Sequence, residues 1–79
     1  MNWKDYIVAD PEVLLGKPVI KGTRLSVELI LDRLADGWSE QDLYRSYPNL
    51  KPDALHAVFA FSAEVMRDEE YIARNKAVA

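Results

Sequence analysis

The sequence predicts a mainly α domain in which a short N-terminal β-strand pair leads into a three-helix bundle. Three observations carry this. Two brief β-prone runs near the start are each stopped by turn residues. Two segments then open on serines placed to cap helices. Finally, a long apolar stripe at three- and four-residue steps follows Pro52.

The first run, Tyr6-Ile7-Val8-Ala9, is stopped by Asp10-Pro11. Gly16 marks a turn before the second, Pro18-Val19-Ile20-Lys21. Pro18 offers no ladder donor, so this strand begins there or lies on an edge. Gly22 turns the chain again. Two strands alone are barely stable in water, so they must pack on helices or on another chain. The first helix is capped by Ser26, has Glu28 at the positive end of its dipole, and stops at Gly37. Val27, Ile30, Leu31 and Leu34 share one of its faces. The second opens with Ser39 and Asp42, an approximate capping box, and runs through Leu43, Tyr44 and Tyr47 to Pro48. The third starts near Pro52, suited to the first helical position because its missing N–H is not needed there. Leu55, Val58, Phe59, Ser62, Val65 and Met66 form its stripe, and the helix is expected to reach about Arg74. The short joint Pro48-Asn49-Leu50-Lys51 between the last two helices suits a helix-turn-helix. It has no glycine, but Asn49 tolerates a left-handed backbone. The expected organisation is one domain over residues 1–66 and a C-terminal helix extension or tail over 67–79.

Composition narrows the function. A chain of 79 residues buries only about 60–65% of its unfolded surface, leaving little core from which to carve a catalytic cleft. No cysteine and one histidine, His56, argue against disulfides and the usual zinc sites. Small domains without these devices often oligomerise, so a homodimer or an obligate partner is expected, with no cofactor, no metal and no catalytic residue. Asp32 and Asp36 lie one helical turn apart, which alone does not make a catalytic pair. The N-terminus lacks a basic region followed by an apolar run, and no stretch approaches transmembrane length. A cytoplasmic protein that does not engage membranes is expected.

A net charge of −3 is the wrong sign for affinity based on phosphate neutralisation. Even so, Lys17, Lys21 and Arg24 sit together without an acid, and two readings stand. The cluster can contact phosphates, or Arg24 can pair with Glu28 while the lysines stay solvated. Arg45, Lys51 and His56 complete the candidate DNA-binding set. The start of the third helix is poorly equipped for base readout, and Asp53 would repel phosphates. On that helix Ala54, Ala57, Ala60 and Ala63 recur every three residues. They form either a seam for another helix, with Phe61 on the same side, or a run of good helix formers.

The string Gly16-Lys17-Pro18-Val19-Ile20-Lys21-Gly22-Thr23-Arg24 resembles the bacterial domain of unknown function 433. The likeness continues through the first helix, Ala35-Asp36-Gly37 and Tyr47-Pro48-Asn49-Leu50, and fades after about Ser62. It implies a homeodomain-like three-helix (helix-turn-helix) fold with an N-terminal strand pair. It also implies an antitoxin that neutralises a small PIN-like ribonuclease toxin and binds operator DNA. Lys51 departs from the family, which usually has a threonine cap before this proline. On this view the acidic tail suits a basic nuclease cleft, with Tyr71 and Ile72 as anchors, unless it is simply a solvated helix end. A stand-alone DNA-binding regulator and a structural dimerisation module remain the alternatives.

Overall fold

The structure, a computed structural model, describes residues 1–68; Tyr71, Ile72 and most of the expected tail lie outside these. Two strands, β1 (Ile7–Ala9) and β2 (Pro18–Ile20), precede three helices, α1 (Val27–Ala35), α2 (Glu40–Ser46) and α3 (Pro52–Asp68). The chain is thus mostly helical, with a two-stranded antiparallel sheet near its N-terminus. Ile7 pairs with Ile20, Val8 with Val19 and Ala9 with Pro18. Pro18 opens β2, where a missing donor costs least. The connection between the strands is long and ends in a 3₁₀ turn, Leu14–Gly16; a second such turn, Trp3–Asp5, precedes β1.

Local chemistry sets the boundaries. Gly22 takes a φ of 77°, and the Thr23 hydroxyl donates to the Ile20 carbonyl (2.8 Å) while accepting from the Leu25 N–H (3.0 Å). This turns the chain from β2 into α1. The Ser26 hydroxyl accepts from the Leu29 N–H at 2.9 Å and caps α1. At its other end, Gly37 N–H bonds the Leu34 carbonyl and Trp38 N–H the Arg33 carbonyl, the Schellman pattern that needs a left-handed residue at Gly37. Ser39 and Asp42 bond each other's backbone N–H groups at 3.1 and 2.9 Å, a complete capping box for α2. The first α3 bond, from Leu55 N–H to the Lys51 carbonyl, makes Lys51 the N-cap, and a lysine side chain has no acceptor to offer there. Asn49 does not supply a left-handed turn: among the described residues other than glycine, positive φ occurs at Leu14 and Leu15.

One core joins these elements. Ile7 and Ile20 of the sheet, Val27 and Ile30 of α1, Leu43 of α2, Leu50 of the joint, and Ala54, Leu55, Ala57 and Val58 of α3 are buried together. Leu31, expected in that core, is instead about one-third exposed, and Phe59 is 42% exposed. Phe61 takes the inward role. Its ring meets Trp3 edge-on at 4.8 Å, because the N-terminal 3₁₀ turn lies across α3.

Candidate interaction surface

β2, α1 and α3 leave a cleft of about 390 Å³ between them, lined by Pro18, Val27, Leu31 and Phe61, with Lys17, Glu28 and Asp32 as its charged members. Its shape follows from the helix faces. α1 points Val27 and Ile30 inward, which leaves Leu31 and Asp32 on the flank. Lys17 Nζ donates to Glu28 Oε1 at 2.7 Å. This hydrogen bond, helped by the opposite charges, holds the Glu28 carboxyl below the usual carboxylate range and the Lys17 ammonium above its ordinary value. Both side chains are well exposed, so the pair contributes little stability. Lys17 also lines a second recess of similar size with Leu14, Leu15 and Ser26, so the Leu14–Gly16 turn borders the cleft.

The candidate DNA-binding residues do not form one patch. Lys17, not Arg24, takes Glu28, because β2 delivers the lysine to the flank of α1. Arg24 lines a separate groove with Val8, Asp10, Val13 and Val19. Lys21 is exposed beside it in the turn after β2. Arg45 sits 3.6 Å from Asp42 on α2, while Lys51 and His56 are exposed near the start of α3. Sequence reasoning missed a further cation. Arg33 lies over the Trp38 ring (5.3 Å) and donates from Nε to the Tyr47 hydroxyl (3.3 Å), while Trp38 and Tyr47 stack at 6.1 Å. This arrangement clips the α1–α2 turn to the end of α2.

The alanine seam is corrected by the structure. Ala54 and Ala57 are buried in this chain's own core, Ala60 is half-buried and Ala63 is exposed. Three-residue steps rotate by about 60° each, so a ridge of four winds roughly halfway round the helix and cannot present one face. Phe61 does reach the surface, as a wall of the cleft. Leu14 and Leu15 were not read as surface residues from the sequence; the one signal was an apolar pair set directly before Gly16, outside any periodic pattern.

Among the described residues, no group of three His, Cys, Asp or Glu side chains comes together to hold a metal, and no helix is long and apolar enough to cross a membrane. No curated protein and no solved structure matches the chain. A family does match: residues 7–62 fit the one described as "Protein of unknown function (DUF433)", reaching from β1 to the middle of α3, and the chain belongs to that family.

Proposed function

We propose that this chain is a cytoplasmic, non-catalytic protein-binding module of the antitoxin kind, which neutralises a small PIN-like ribonuclease toxin and works as a homodimer. The observation that carries this reading is the partly apolar cleft between β2, α1 and α3, where Leu31 and Phe61 line an open surface near the exposed Leu15. The acidic balance of the chain suits a basic nuclease surface. Co-expression with the product of the neighbouring gene, followed by purification on a tag carried by this chain alone, tests it. The reading requires a stable complex and suppression of the partner's ribonuclease activity. A nuclease that stays active and separates from the chain overturns it.

Operator binding through a homeodomain-like arrangement of α2 and α3 is a second reading, favoured by the exposure of Lys21, Arg24, Lys51 and His56. On that reading Arg24→Ala and Lys51→Ala weaken binding to promoter DNA and reduce its salt slope by about one each. The absence of any gel shift at low salt overturns it.

A further inference from the structure

The two-stranded sheet has one covered edge and one open edge. On the β2 side, Ile20 N–H bonds the Leu25 carbonyl at 2.9 Å and Val19 bridges to Ser26, so the chain entering α1 covers that edge. Lys21 N–H bonds the Tyr6 carbonyl at 2.8 Å, which fixes the alternation of the ladder. Tyr6 and Val8 face β2, while Ile7 and Ala9 turn their N–H and C=O groups away from it. Among the described residues, no backbone group outside the strands bonds those of Ile7 and Ala9. Such an edge is a template for one more strand. Ala9 is exposed, and so is Val8, whose side chain stands on the sheet face opposite the Ile7–Ile20 core pair.

Charge selects what the edge accepts. Asp5 precedes β1 and Glu12 follows it; both are exposed, and among the described residues neither is in an ion pair. Lys4 is drawn over the Trp3 ring, 5.8 Å from its centroid, and Asp10 shares its groove on the outer sheet face with Arg24. A second copy pairing β1 on β1 would bring Asp5 of each chain toward Glu12 of the other, and like charges across a ladder repel. A basic strand meets the opposite situation. We propose that β1 accepts an extended basic segment of another protein as a third strand. Ile7 and Ala9 supply the backbone bonds, an apolar side chain lies beside Val8, and Lys or Arg residues at the two ends meet Asp5 and Glu12.

This edge rests on the protein-binding part of the proposed function and adds a contact surface to it; its test uses the full chain without any nuclease. The isotope-labelled chain is titrated with the blocked peptide Lys-Lys-Thr-Val-Thr-Lys-Lys and followed by amide NMR. The Ile7 and Ala9 amides are expected to move downfield and saturate, and added salt to weaken the binding. The same peptide with Glu in place of every Lys should bind at least about fivefold more weakly. Ala9→Pro removes one outward donor while sparing the ladder to β2, and should weaken the basic peptide about fivefold. The double variant Asp5→Lys, Glu12→Lys alters no backbone group and should reverse the preference between the two peptides, which keeps the test decisive if the proline variant unfolds. Unmoved Ile7 and Ala9 amides at about 10 mM peptide, or equal affinity for both peptides, overturns the proposal. Movement of the same amides on concentrating the chain alone also overturns it, by giving the edge to a second copy. A chain that captures the nuclease with these amides unmoved would overturn this surface alone; peptide binding without nuclease capture would overturn toxin neutralisation and leave the edge standing.

Discussion

Ala57→Asp and Ala63→Asp place the same carboxylate on the same helix at points about 120° apart around its axis. Ala57 is 0% exposed, packed among Leu55, Val58 and the other core residues, whereas Ala63 faces solvent. An unpaired carboxylate at Ala57 meets an effective burial penalty of several kcal/mol. A domain of this length has a total stability of about 4–12 kcal/mol, at the lower end for so small a core. Ala57→Asp is therefore expected to lose most of its cooperative melt at neutral pH and to recover part of it in mild acid, where the new carboxyl is protonated. Ala63→Asp gives up only helix propensity, about 0.7 kcal/mol, or roughly 3–6 °C in melting temperature. Far-UV circular dichroism at neutral and mildly acidic pH reads both variants. Equal losses, or a larger loss at Ala63, would refute the rotation of α3 and with it the cleft that Phe61 walls.

Removing the α2 cap by Ser39→Ala should cost about 1 kcal/mol, visible as a lower urea midpoint at unchanged slope. The carboxyls of Glu28, bonded to Lys17, and Asp42, bonded to the Ser39 backbone N–H, are both held below their usual range. Their contribution is therefore present above the unfolded carboxylate value, roughly pH 4, and is lost as pH falls through the lower folded values. Urea midpoints followed from neutral pH into acid should show that loss shrinking in a Glu28→Gln, Asp42→Asn double variant. At concentrations where the chain is monomeric, Leu15→Gly should raise the melting temperature, since relief of about 1–2 kcal/mol of left-handed strain exceeds the roughly 0.5–1 kcal/mol entropic cost of glycine. Leu15→Ala keeps the strain and should show no such gain.

Much of the local structure was legible because it is written in short-range chemistry. Ser26, Gly37, the Ser39–Asp42 box and Pro52 each satisfy or replace a backbone group within a few residues, so the helix ends fell where the caps placed them. The two strands were readable for the same reason. The rotation of α3 was not, because alanines alternate with large residues along it and leave two competing stripes. The choice between Phe59 and Phe61 is made by Trp3, which packs on Phe61 from the opposite end of the sequence. Likewise the sequence offered Arg24 as the partner of Glu28 with the lysines solvated, and only the path of the chain into β2 decides for Lys17. The Leu14–Gly16 turn belongs to neither period, and its handedness depends on how the strand connection closes.

The proposed antitoxin role requires the apolar face around Leu15, Leu31 and Phe61 to be covered by another polypeptide. Amide hydrogen exchange over Val13–Leu31 and Ala57–Val65 tests it most directly, measured on dilute protein, on concentrated protein and on the chain co-purified with its neighbouring gene product. Slower exchange in the Leu14–Lys17 turn on concentration or complex formation is the predicted result. Exchange that stays the same in all three samples would contradict it.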